Sequence, residues 1–136
     1  MYEKEIITDV VNFLSQVEGA KVIAFDDFTE DREKAMVVVG IDSTEQVNFA
    51  LDDFRYDMTI LLDVMLDSDK DGVIMDALKD QVLEVLHPIF DDPERYGDIF
   101  SDLDRICYFH FNSMTNSISD RSMRTEIKIE LIGSFN

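Results

Sequence analysis

The segment Asp67-Ser68-Asp69-Lys70-Asp71-Gly72 sets three carboxylates at alternate positions, with a glycine directly after the third and Ile74 two residues further on. Carboxylate oxygens are hard ligands for Ca2+ or Mg2+, and this spacing matches the first half of a calcium-binding loop. The second half does not follow, because Met75 and Leu78 stand where the loop's later ligands belong, Leu78 in place of the bidentate glutamate. Two readings stay open. In one, Asp67, Asp69 and Asp71 hold a divalent cation weakly. In the other they form an acidic strand-to-helix turn, with Gly72 making the bend and Asp69 or Asp71 capping the helix at its positive end. No other cofactor is implied.

Other reactive residue types are sparse. His87 closes a helical pattern and His110 sits inside a strand pattern, and neither has a second histidine at metal-ligand spacing. Neither a glycine-rich phosphate loop nor a nucleophile elbow occurs. Cys107 alternates with Phe109 and Phe111, which makes it a small core residue rather than a nucleophile. The expectation is a protein that is not an enzyme.

The elements that must position these residues can be read from apolar periodicity. Ile6, Ile7, Val10, Val11, Phe13, Leu14 and Val17 recur at helical spacing, and Gly19 follows them as a stop. Val22 to Phe25 is a short strand, and the charged run 26–34 an exposed loop. Met36-Val37-Val38-Val39 is apolar at every position, as in a strand covered on both faces. Residues 45–54 are ambiguous: Val47, Phe49 and Leu51 alternate as in a strand, whereas Ser43 followed by Gln46 fits a helix capping box, and the segment is read as an optional strand. Residues 56–66 hold period two throughout, with Tyr56, Met58, Ile60, Leu62, Val64 and Leu66 on one side. After the acidic turn comes a second helix with Ile74, Leu78, Val82, Val85 and Ile89 as its buried stripe, widened by Ala77 and Leu86 and limited by Pro88. Residues 106–111 and 126–131 are strands, and 112–122, rich in Ser and Asn, reads as a long hairpin loop. The order α-β-β-(β)-β-α-β-β implies an α+β domain spanning residues 1–136, with two amphipathic helices packed on one face of a mostly antiparallel sheet. The other face carries Leu61 and Met65 among carboxylates, a half-apolar surface of the kind that meets a partner or is folded over by loops.

At 136 residues and 15.7 kDa the chain has room for one domain with a real core, and 46% hydrophobic residues suffice to build it. Twelve basic against 30 acidic residues give a formal charge of −18. Such a surface repels phosphate, so nucleic-acid binding and docking on anionic membranes are both disfavoured. A single cysteine cannot form an internal disulfide, and the opening Met1-Tyr2-Glu3-Lys4-Glu5 lacks the regions of a secretory signal, which points to a reducing compartment.

The N-terminal helix, the strand Met58-Thr59-Ile60-Leu61-Leu62-Asp63-Val64 and the acidic turn into a helix ending near His87-Pro88 resemble those of tail terminator (tail completion) proteins of long-tailed bacteriophages. The likeness continues through residues 106–111 and the polar hairpin to Thr125-Glu126-Ile127-Lys128-Ile129-Glu130-Leu131. The resemblance implies a hexameric ring in the virion, assembled in the host cytoplasm. The ring would sit at the head-proximal end of the tail, end growth of the tail tube, and join it to the connector or neck of the head. The tail tube protein, the head connector and, in contractile tails, the sheath are the implied partners, with DNA only passing through the lumen. Ring contacts would fall on loops 26–34 and 112–122, and Phe28, Met114, Ile118 and, just past the second loop, Met123 are apolar residues in polar segments and candidate interface anchors. A different class uses the same charge: an acidic DNA mimic that inhibits a nucleic-acid-binding protein. It would need its carboxylates spaced along one elongated face, whereas here they are spread over many loops.

Overall fold

In the computed structural model, which describes residues 2–27, 33–45, 53–101 and 106–134, seven regular elements follow one another. They are α1 (Tyr2–Leu14), β1 (Lys21–Ala24), β2 (Ala35–Glu45), β3 (Asp53–Met65), α2 (Asp71–Leu86), β4 (Ile106–Ile118) and β5 (Ser122–Ser134). Short 3-10 turns occupy Phe25–Asp27 and Pro93–Asp98. The strands form one sheet in the order β1-β2-β3-β5-β4, in which only β1 and β2 run parallel. This is an α+β fold with the expected element order. The optional strand is the one difference: Glu45 belongs to β2, Asp53 and Phe54 belong to β3, and residues 46–52, with Val47, Phe49 and Leu51, lie outside the described residues.

One face of the sheet carries the core. Period two along β3 sends Phe54, Tyr56, Met58, Ile60, Leu62 and Val64 to the same side. There they meet Ile6, Val10, Leu14 and Val17 from α1 and its exit, Met75, Leu78, Val82 and Leu86 from α2, and Ile127, Ile129 and Leu131 from β5, in one buried cluster. Each such side chain withdrawn from water contributes roughly 1.5–3 kcal/mol. Ala35 to Val39 are buried at consecutive positions, as the unbroken apolar run of β2 requires. Gly19 has φ of 82°, a left-handed conformation that costs glycine nothing, and it turns the chain from α1 into β1.

Three expectations are corrected. The buried stripe of α2 runs through Met75 and Leu86 rather than Ile74 and Val85, which flank it, and Ala77 is exposed. Positions 71, 75, 78, 82 and 86 are each three or four apart, so they share one helical face. Cys107 is exposed and not in the core. The register of β4 against β5 shifts between Ile106 and Tyr108, and that extra residue turns Cys107 away while Ile106 and Phe109 stay inside. Finally, residues 112–118 are not a loop: β4 continues to Ile118, so the hairpin turn is confined to Ser119, Asp120 and Arg121. An edge strand exposed to water on its outer half needs no apolar alternation, and the Ser/Asn composition concealed it.

Candidate interaction surface and the acidic turn

The turn between β3 and α2 is organised by a residue far away in sequence. Lys34, just before β2, sends its ammonium between Asp67 and Asp71 and donates to both carboxylates, and also to Met65 O at 2.6 Å. Asp71 is buried, and its Oδ2 accepts the N–H groups of Asp67 at 2.9 Å and Ser68 at 3.0 Å. The Ser68 hydroxyl donates to Asp71 Oδ1 at 3.0 Å. The hydrogen bond from Lys34, reinforced by that of the Ser68 backbone, holds the Asp71 carboxyl far below the usual carboxylate range. Burial works against the charge on Lys34, but its bonds to Asp67 and Asp71 outweigh this and raise its pKa.

Of the three expected cation ligands, Asp67 and Asp71 are therefore brought together around an ammonium, while Asp69 stays exposed on the turn. A divalent ion at this place would have to displace Lys34. Among the described residues no group of three or more His, Cys, Asp or Glu is placed to hold a metal ion. The capping expectation is also corrected: the N-cap of α2 is Lys70, with no side-chain cap, and the Asp71 carboxylate folds back onto the loop that precedes the helix. Gly72 has an ordinary helical φ and does not make the bend.

At the far edge of the sheet, the two halves of β4 are treated differently. Phe109 is fully buried, and its backbone is closed off from the edge: its N–H donates to the Tyr96 hydroxyl at 3.0 Å, and its carbonyl accepts Asp91 N–H at 2.9 Å. Asp91 reaches this place with φ of 60°, a left-handed conformation that Asp tolerates better than most residues. Its carboxylate also meets His110 Nδ1 at 2.9 Å. Phe90, Tyr96 and Phe100 gather their rings around Phe109 at centroid distances of 5.0, 6.3 and 5.3 Å. Burial pushes the Tyr96 phenol up, so it is present as the neutral hydroxyl. Tyr96→Phe leaves the Phe109 N–H buried without its acceptor, and urea unfolding is expected to register a loss of about 1–3 kcal/mol. An unchanged midpoint would mean that water reaches this amide.

Among the described residues no strand pairs with the outer edge of the far half of β4. Residues 112–118 are all exposed, Ile118 at 72% and Met114 at 39%. Register places Met114 opposite Ile127, Asn116 opposite Thr125 and Ile118 opposite Met123, so these side chains lie on the helix-bearing face of the sheet. Thr125 Oγ1 donates to Asn116 Oδ1 at 2.8 Å and fixes that side chain. Among the four expected anchors, Met114 and Ile118 are exposed, Met123 is partly buried against the core, and Phe28 lies outside the described residues.

The opposite face of the sheet is patterned with charge. Arg55 bridges Asp57 and Glu130, both at 3.2 Å, and Lys128 binds Asp42 at 2.9 Å and the Thr59 hydroxyl at 2.7 Å. Arg124 lies 3.5 Å from Asp63, which is buried. Beside this network runs a groove of about 380 Å3 lined by Phe25, Val38, Leu61 and Thr59 among others. A Cβ at Gly40 would come 3.3 Å from Phe25 Cβ, so Phe25 would have to give by a few tenths of an ångström to admit one. Apolar Leu61 and Met65, expected on this face, are half-buried.

The Lys34 clamp and the aromatic closure of β4 were missed in the sequence. Phe90, Tyr96 and Phe100, spaced six and four apart after α2, were the available signal for the second. Comparison with protein-family models and with curated proteins returns no match to this chain.

Proposed function

We propose that this chain is a structural assembly protein, a phage tail terminator whose subunits close into a hexameric ring that ends the tail tube and meets the head connector. The observation that carries the reading is the outer half of β4, a strand edge left open and uncharged, with Met114 and Ile118 exposed on it, in a chain of −18. Subunits this acidic repel one another wherever their general surfaces meet, so association has to use surface free of carboxylates. A heterologous contact that closes after rotation is what a ring needs, and exposed strand edges supply such contacts. On the ring's inner wall, carboxylates would let DNA pass without sticking. The DNA-mimic reading is disfavoured by the charged face of the sheet, where Arg55, Arg124 and Lys128 interrupt the acids that a phosphate mimic would keep in an unbroken row.

Met114→Glu combined with Ile118→Glu tests this directly. Both side chains are exposed, so the melting temperature is expected to stay within a few degrees of the parent. Assembly, followed by light scattering, is expected to weaken about tenfold or more, equivalent to roughly 1.4 kcal/mol or more of lost contact energy. Unchanged assembly by a well-folded double variant would place the subunit contacts elsewhere.

A further inference from the structure

We infer that the open edge of β4 pairs with the same edge of a second copy of this chain, antiparallel and centred on Asn116, forming a two-fold dimer of the free subunit. The inference concerns the unassembled protein and does not rest on the ring.

Three observations carry it. The first is the direction of the backbone. Ser119 N–H donates to Ser122 O inside the hairpin, so Ser119 faces β5. By antiparallel alternation, Ile118, Asn116 and Met114 turn their N–H and C=O groups away from β5, toward the open edge. The regular stretch begins after the register shift between Phe111 and Ser113 and ends at the turn.

The second is the sequence of that stretch, Ser113-Met114-Thr115-Asn116-Ser117-Ile118-Ser119. It reads the same by side-chain type in both directions: hydroxyl, apolar, hydroxyl, amide, hydroxyl, apolar, hydroxyl. A two-fold axis at Asn116 therefore sets Met114 against Ile118 of the other copy, Thr115 against Ser117, Ser113 against Ser119 and Asn116 against itself. Matched pairs are what stabilises neighbouring strands. The outward groups of residues 114, 116 and 118 would supply about six backbone hydrogen bonds. No residue from 111 to 119 carries a charge, so the two copies approach through neutral surface in spite of the −18 each bears.

The third is the fit of lengths. In this register the other copy's turn, Asp120 and Arg121, arrives opposite Asn112 and Phe111. The edge is already occupied just beyond, at Phe109, by the Tyr96 hydroxyl and Asp91 N–H. The partner strand thus fills the open stretch and stops where the closed one begins. Exposed edges that pair indefinitely lead to aggregation, and a two-fold pairing closes this one. In a rotational ring the same edge would meet a different surface, so pair and ring are alternative states of the subunit. A strand-edge contact of this length buries less than the roughly 1,600 Å2 of a standard interface, so the pair is expected at high micromolar concentration rather than nanomolar.

Site-directed crosslinking tests the register. In a Cys107→Ser background, which removes the exposed native thiol, Asn116→Cys is expected to give a disulfide-linked dimer on mild oxidation, because facing Cα atoms in such a pair lie about 5.5 Å apart. Ser113→Cys alone is expected to give none, since two copies of that residue would sit on the order of 20 Å apart along the strands. Ser113→Cys mixed with Ser119→Cys restores the crosslink. Without divalent cations and below the concentration at which rings form, sedimentation equilibrium of the unmodified chain is expected to move from 15.7 kDa toward twice that mass as concentration rises. A parent that stays at 15.7 kDa, or a dimer in which residue 116 fails to crosslink while it remains folded by circular dichroism, would overturn the inference. Crosslinking at 116 without rings would leave the pair standing and count against the terminator reading. Rings without that crosslink would do the reverse.

Discussion

Phe109→Ala is expected to cost about 3–5 kcal/mol of unfolding free energy, a large share of the roughly 5–15 kcal/mol that holds a domain of this kind together. Phe109 is wholly buried and stands at the centre of the rings of Phe90, Tyr96 and Phe100, so its removal opens a cavity that these three rings would have to collapse into. It also sits where β4 is tied on its outer side, through its own backbone, to Asp91 and Tyr96. The loss should therefore be felt at the sheet edge first. Hydrogen exchange in β4 is expected to accelerate more than in β3, which is paired on both sides. Urea denaturation measures the total. A loss under about 1 kcal/mol would mean that the ring cluster is not the anchor of β4.

Lys34→Met is expected to produce the second large effect, and one that depends on pH. The substitution leaves the buried Asp71 carboxylate, and Asp67 beside it, without the ammonium that both share. Removing one partner of such a cluster costs more than the cluster itself contributed, because the remaining charge has lost water as well as its partner. The sign follows from linkage. Asp71 titrates in the fold well below its ordinary value near 3.8, so its contribution is fully present above pH 4 and is lost as pH falls toward its folded value. Lys34 titrates above its ordinary 10.5, so its contribution is present below that pH and is lost as pH rises through the folded value. The melting-temperature gap between parent and Lys34→Met is thus expected to be widest and flat between about pH 4 and pH 10, and to narrow on either side. A gap that is constant down to pH 2 would show that the effect of Lys34 is packing and not charge.

What could be read from the sequence followed from how each segment meets the core. β3 from Phe54 and β5 from Thr125 are buried at every second position on one face, so Tyr56 to Val64 and Ile127 to Leu131 show the period of two. The unbroken apolar run of β2 announced cover on both faces. In β4 only residues 106–111 read as a strand, with Cys107 placed on the wrong side. Two register shifts reverse which residues face inward, and its outer half, at the edge and in water, is under no demand to be apolar. The acidic turn was visible as carboxylates at alternate positions, but its organiser, Lys34, lies 33 residues earlier in the chain and reaches the turn only because β2 and β3 pair. Ala35 lies opposite Val64, which brings the residue before β2 to the end of β3. Long-range pairing of this kind has no local period to reveal it. The interface candidates divided in the same way: Met114 and Ile118 stood out as apolar residues in polar surroundings and are exposed, whereas Met123, of the same appearance, packs partly against the core because it lies on the inner strand β5.

We propose that this domain works by assembling through its sheet edge into a ring. Single-particle electron microscopy of the purified chain at high concentration, with Mg2+ and Ca2+ present, addresses it most directly. Sixfold rings with an open lumen, lost in the Met114→Glu/Ile118→Glu variant, are the predicted result. Monomers and two-fold pairs alone at every concentration, with no closed ring, would contradict it.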